Sequence, residues 1–295
     1  MKRARDFLKK VIAIIRRPEM RILPGQLAFF FVLSLIPLVA LVGTIGSKFG
    51  LSIDSIQNIL ETTLPSGVIG LFMPTTQPQD LNFNLIVFFV AAFILASSGL
   101  YSMINTANEI YKVESKGEIR KRIKAIVMTL ILIMLFLFLI LVPTFADTLL
   151  TTLSNSISNQ QVVTIVRGVY QLCKYPLALA LLYFNLKLLY TLAPDKEISS
   201  RSTIPGAAFT TIMWMISTKI YMFYVEYFSH YDLFYGSMSN LLILLWWVYI
   251  LSYIFTLGLS FNATGVIQET LRLKKSDIEA AEKLEEGERK KKNQS

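Results

Sequence analysis

Two stretches of this chain place ionisable side chains inside otherwise apolar runs. In the first, Arg167, Tyr170, Gln171 and Lys174 follow one another at spacings of three, one and three, which puts them on one face of a helix. In the second, Lys219 and Glu226 stand seven residues apart. That is two helical turns, about 10 Å, and again one face. Tyr221, Tyr224, Tyr227, Tyr231 and Tyr235 gather at the same level. A charge inside a membrane-crossing segment costs about 2.5–3.5 kcal/mol on insertion scales and normally faces a cavity or a partner. The set therefore fits a polar, net-positive cavity suited to an anionic headgroup or solute. It also fits a plainer arrangement. Arg167 and Lys174 then snorkel to the interface, Lys219 meets Glu226 through an intermediate group, and the tyrosines form an aromatic belt. Lys219 is hardest to account for in that way, because it lies well inside its segment.

Other residue types support less chemistry. Ser252, Thr256 and Ser260 recur every four residues, which suits a hydroxyl pathway or, more simply, a small-residue seam between helices. Asn105, Asn108 and Glu109 precede a basic connector. They read as an inner gate or as a solvated helix end with Glu109 near Lys112. The single histidine, His230, and the single cysteine, Cys173, make neither a metal site nor a disulfide within one chain. A nuclease needs clustered carboxylates or histidines, whereas Asp6, Glu19, Glu114, Glu118, Asp195 and Glu197 are scattered. There is no phosphate-binding loop of the GxxxxGK[ST] type. Neither an enzyme nor a cofactor nor a metal is expected.

The elements that must position these residues are membrane spans. Of the 295 residues 54% are hydrophobic and 17% charged, and the mean hydropathy is +0.53. The apolar residues collect in runs of about 20 or more, long enough for a hydrocarbon core of about 30 Å. The reading is an all-α integral membrane protein with six transmembrane helices, at about 25–47, 83–108, 124–146, 162–191, 204–228 and 237–265. A basic amphipathic arm occupies residues 1–24, with Pro24 and Gly25 marking the start of the first span and Pro37 inside it. A charged tail occupies 267–295, and the longest outside segment, 48–82, is broken by prolines and glycines. Lysines and arginines crowd the arm, the connector with Lys112, Lys116, Arg120, Lys121, Arg122 and Lys124, the connector with Lys196 and Arg201, and the tail. Basic residues stay on the cytoplasmic side, so both termini are expected in the cytoplasm. The net charge of +9 is then topology charge, and nucleic-acid binding is not its default explanation. Contact with anionic lipid headgroups is a second use. Arg167, Lys174 and Lys219 fall in the outer half, where topology gives no reason for them.

Particular residues add a resemblance. Leu27-Ala28-Phe29 followed by Ser34-Leu35-Ile36-Pro37-Leu38 looks like the opening motif of the YihY/BrkB family of bacterial inner-membrane proteins. Asn108 and Tyr111, Tyr190 and Pro194, Gly206-Ala207 and Trp214, Tyr235-Gly236-Ser237, and then Trp246, Tyr249, Gly258, Asn262 and Ala263 agree in order and spacing. The resemblance covers roughly residues 5–265. It implies a six-helix, multi-pass protein of the bacterial cytoplasmic membrane, linked to envelope integrity, serum resistance and transport of a lipid or solute, and wrongly labelled a ribonuclease in the past. This chain departs from the family where an acid commonly follows the last-helix glycine; here the residues are Gly258-Leu259-Ser260. Two functions are carried forward. One is transport or handling of a lipid or anionic solute in the envelope. The other is a structural or regulatory component that binds a protein partner through its arm and tail; a homo-oligomer is open.

Overall fold

The structure is a computed structural model and describes residues 11–48, 83–115, 117–135, 137, 160–228 and 242–266. Residues 48–82 and the tail therefore fall outside it, Lys48 excepted, as do His230, Tyr235 and Gly236. The described residues form seven helices and no strand. A short helix α1 (11–15) is followed by α2 (Glu19–Lys48), α3 (Phe83–Tyr111), α4 (118–135), α5 (Gln160–Leu192), α6 (Ile204–Phe228) and α7 (Leu242–Val266). Two of them, over Val90–Tyr111 and Leu242–Val266, are long and apolar enough by length and composition to cross a membrane.

Local chemistry sets the helix ends. Lys112 closes α3 in the left-handed region (φ 53°). Its N–H donates to Glu109 O at 3.2 Å and that of Val113 to Asn108 O at 2.9 Å, the paired bonds of a Schellman stop. Gly117, at φ 99°, turns the chain into α4. Beyond α5, Pro194 prevents continuation, and Ala193 N still donates to Leu189 O at 2.8 Å. The start of α2 differs from the sequence reading. The helix begins at Glu19 and contains Pro24. Its first turn is tightened by short bonds from Met20 N to Arg17 O and from Arg21 N to Pro18 O, both 3.1 Å, so the helix is already established before proline removes a donor.

One core ties the long helices together. Leu27 of α2, Met103 and Ile104 of α3, Ala125 of α4, Tyr190 of α5, Ala207 of α6 and Phe255 and Leu259 of α7 pack in it. A second cluster joins Ala28, Tyr221, Leu244 and Trp247, with the last ring stacked on Tyr221 at 4.8 Å. A third joins Leu41 of α2 to Ala92 and Ala96 of α3 and to Ile133, which makes α2 and α3 antiparallel. The arm also belongs to the bundle, because Ile14 and Met20 pack on Leu257 and Arg17 Nη2 donates to Thr264 Oγ1 at 3.3 Å.

Helix α6 approaches α7 closely at two glycines. A Cβ added to Gly206 would fall on the Gly258 carbonyl and the Asn262 amide. One added to Gly258 would fall on Thr210 Oγ1 and Tyr190 OH. Overpacking of this kind costs about 1–3 kcal/mol. Gly258→Ala is therefore expected to lower the thermal midpoint of the detergent-purified protein. Gly168→Ala, where an added Cβ meets nothing within 4 Å, should leave it unchanged or raise it, since alanine is favoured over glycine in a helix by up to about 1 kcal/mol.

Candidate functional site

The densest polar chemistry lies where α3 and α5 end and α4 begins. Asn108, one turn from the end of α3, is buried. Its Nδ2 donates to Asp195 Oδ2 and its Oδ1 accepts from Asp195 N, both at 2.8 Å. The other Asp195 oxygen accepts from Lys124 Nζ at 2.9 Å. Lys124 Nζ also donates to Ala193 O and Pro194 O, each at 2.8 Å. An ammonium has three N–H donors, and all three are used on the C-terminal end of α5, where a cation is favoured. The Asp195 side chain is 3% exposed.

Asn108 is therefore not part of a solvated helix end, because the short Ala193–Asp195 turn folds back over it. Glu109, by contrast, is exposed and 3.4 Å from Lys112. Sequence reasoning missed Asp195 and Lys124, filing one as a scattered acid and the other as topology charge. The available signal was that the carbonyls ending α5 need a cation, and Lys124 opens the neighbouring helix.

A second polar cluster sits at the α5–α6–α7 junction. Tyr190 OH donates to Phe255 O at 2.8 Å and lies 2.6 Å from Thr210 Oγ1. Asn262 Oδ1 accepts from Gly206 N at 2.8 Å, satisfying one of the free amides in the first turn of α6. Asn262 Nδ2 is buried without a partner. Trp214 Nε1 donates to Leu251 O at 2.9 Å. Ser34 Oγ bonds Phe31 O at 2.9 Å and faces Gly99. Most of the singled-out motif residues thus lie at helix contacts, while Trp246 faces outward and Pro37 lies within α2. Ser252, Thr256 and Ser260 are all buried. Thr256 Oγ1 donates to Ser252 O at 2.8 Å and Ser260 Oγ to Met20 Sδ at 3.8 Å.

The charged set reads as follows. Arg167, Tyr170, Gln171 and Lys174 lie within α5 and Glu226 within α6, with side chains outside the described ones. Tyr224 is half-buried and Lys219 exposed, the latter among outward-facing Met215, Ile216, Ile220, Met222 and Phe223. Between α4 and α5, Met128, Leu132, Leu135, Leu188, Leu192 and Asn185 line a cleft of ≈ 10 Å³, about the size of one water. Among the described residues no three of His, Cys, Asp and Glu gather as metal ligands.

This architecture can be set beside known proteins. The family model described as virulence factor BrkB matches residues 15–283. The chain belongs to the BrkB family. A ribonuclease-like protein, YfkH, of Bacillus subtilis is 29% identical over 262 residues, 88% of this chain and 94% of that protein. UPF0761 membrane proteins of Vibrio campbellii and Pseudoalteromonas atlantica are 26% and 24% identical, over 87% and 90% of this chain and 81% and 87% of theirs. No solved structure matches. This BrkB chain is therefore a member of a bacterial membrane-protein family, helical throughout the secondary structure of its described residues, and nothing in these likenesses is positive evidence for an enzyme.

Two measurements follow. Asp195→Asn strands Lys124 against neutral groups, and removing one partner of a buried pair costs about 3 kcal/mol. A clear fall in thermal midpoint is expected, larger than for Glu109→Gln. Separately, Lys112 bonds Glu19 at 2.6 Å and, with help from the backbone and Arg17, holds its carboxyl below the ordinary 4.5, while the Lys112 ammonium is pushed up, by Glu19 first. A depressed carboxyl stabilises fully above its unfolded value and loses that contribution as pH falls through the folded value. The Lys112 side chain is 60% exposed, so the effect is about 1 kcal/mol or less. Thermal midpoints of the parent and of Glu19→Gln should differ above about pH 5 and converge below pH 4.5.

Proposed function

We propose that this BrkB-family chain spans the bacterial cytoplasmic membrane six times, keeps both termini inside, and handles a lipid or anionic solute in the envelope without acting as an enzyme. The observation that carries the reading is Lys219. It stands exposed on a face of α6 made of Met215, Ile216, Ile220, Met222 and Phe223. Fifteen residues separate it from Ile204, about 22 Å along the helix. An ammonium at that depth must find an anion or reach water.

The direction of α6 favours the anion. A helical side chain leaves its backbone tilted toward the helix N-terminus. The N-terminus of α6 adjoins the 193–203 connector, which carries basic residues and so belongs inside. Lys219 therefore leans away from the outer interface, the nearer of the two. Arg167 and Lys174 lie on α5, which runs the opposite way.

A ring of outward apolar side chains supports six spans. It includes Phe29 and Leu33 of α2, Val90 and Leu95 of α3, Val127 and Met134 of α4, Leu177 and Phe184 of α5, and Leu245 and Trp246 of α7. In water this much exposed apolar surface would be a liability; in lipid it is the solvated surface. The alternative, a regulatory component that binds partners through its arm, has less support, because Ile14, Met20 and Arg17 contact the bundle itself.

Two experiments test this reading. In a Cys173→Ser background, Ser115→Cys and Ser199→Cys should react with a membrane-impermeant maleimide only after the cytoplasmic face is opened. Reaction in intact spheroplasts would refute the orientation. In cells lacking the chromosomal copy, Lys219→Met, expressed to parental level, should fail to restore growth under envelope stress, and full restoration would refute the role of Lys219.

A further inference from the structure

On the exposed surface of the α3–α4 pair a guanidinium is held by neutral groups. Arg122, early in α4, is half-buried. Its Nη2 donates to Ile94 O at 2.6 Å, and both Nη atoms reach Ser98 Oγ at 3.4 Å. Its Cζ lies 5.6 Å from the centre of the Tyr101 ring. All of these partners are neutral. Ile94 O is also a shared acceptor, taking bonds from Ser97 Oγ at 2.8 Å and Ser98 Oγ at 3.2 Å. The acid one turn earlier, Glu118, is engaged by Lys121 Nζ at 2.6 Å and by the Tyr101 hydroxyl. Among the described residues Arg122 makes no ion pair. Those contacts use three of its five N–H donors, and the remainder of the fork keeps its capacity for an anion.

The surroundings are aliphatic and outward-facing. Ile119 is 79% exposed and Ile123 58% exposed, with Val127 following on α4 and Ile94 and Leu95 on α3. A planar cation that suits phosphate, set in a wall of exposed aliphatic side chains, has the two-part chemistry of a phospholipid. The geometry points to a site for one anionic phospholipid on the α3–α4 face, with its phosphate on Arg122 and its chains along Ile123, Val127 and Leu95. Charge complementarity commits the face to this occupant. Among the described residues the guanidinium has no carboxylate, the exposed Arg120 beside it adds positive charge, and the apolar wall continues into the exposed apolar surface of both helices. With the orientation given above, the site lies in the cytoplasmic leaflet, whose surface is anionic.

The test uses the full chain, purified in mild detergent and exchanged into defined mixtures of phosphatidylglycerol and phosphatidylcholine, with retained lipid counted by native mass spectrometry. The parent is expected to retain phosphatidylglycerol preferentially. Arg122→Gln should cut that retention about fivefold, the effect of one basic side chain at a membrane surface, and leave phosphatidylcholine unchanged. Undiminished phosphatidylglycerol retention would overturn the site. If Arg122→Gln cannot be recovered folded, Ile123→Asp at an exposed position carries the test, with the same fall expected and unchanged retention again overturning it. Glycerol phosphate, the headgroup without chains, should not compete at matched concentration; equal competition would show a free-anion site instead. A loss of dimer mass with lipid unchanged would assign the face to a second copy. This readout is made on purified protein and is independent of the envelope phenotype of Lys219 variants.

Discussion

Where α6 crosses α7, buried backbone and side-chain polar groups need partners within the protein, and one close approach decides which of them are met. Gly206 and Gly258 let two backbones approach until no Cβ fits between them. That closeness brings Asn262 within reach of an unpaired amide in the first turn of α6 and sets Tyr190 between Thr210 and the Phe255 carbonyl. A larger residue at either glycine would separate all of these pairs at once. Three helices are therefore held by one steric condition, and the polar bonds report whether it is met.

The Lys124–Asp195–Asn108 cluster solves a related problem at the bundle end. The carbonyls ending α5 need donors, and the buried Asp195 needs cations or amides. Lys124 supplies three bonds and Asn108 two, so α3, α4 and α5 are joined without an unpaired charge. Because the ammonium is fully used, this lysine has little left for a ligand, although it looks identical in sequence to its neighbours.

The helical class was legible because membrane spans need long apolar runs, and Leu242–Val266 is one by any reading. Pairings across helices were not. Asp195 resembles any connector acid until the turn over Asn108 is seen, and the start of α2 was misplaced because Pro24 reads as a beginning when it follows a basic arm. The candidate cavity rested on helical spacing, which assigns a face but not what the face meets. For Lys219, the decisive fact is that its neighbours on α6 point outward with it.

The basic residues therefore sort by the acceptors they meet rather than by count. Lys124 is saturated by three oxygens, and Lys112 and Lys121 each have a carboxylate at 2.6 Å. Such groups hold the bundle end together and gain little from another anion. Among the described residues Arg122 has neutral partners, and Lys219 stands among exposed apolar side chains. Among the described residues an added phosphate would exchange no ion pair at either place, so its binding energy is not offset by one that must break. In a chain with 29 lysines and arginines, that criterion separates cations already engaged by a carboxylate from cations with neutral or apolar surroundings, which a basic sequence pattern alone cannot do.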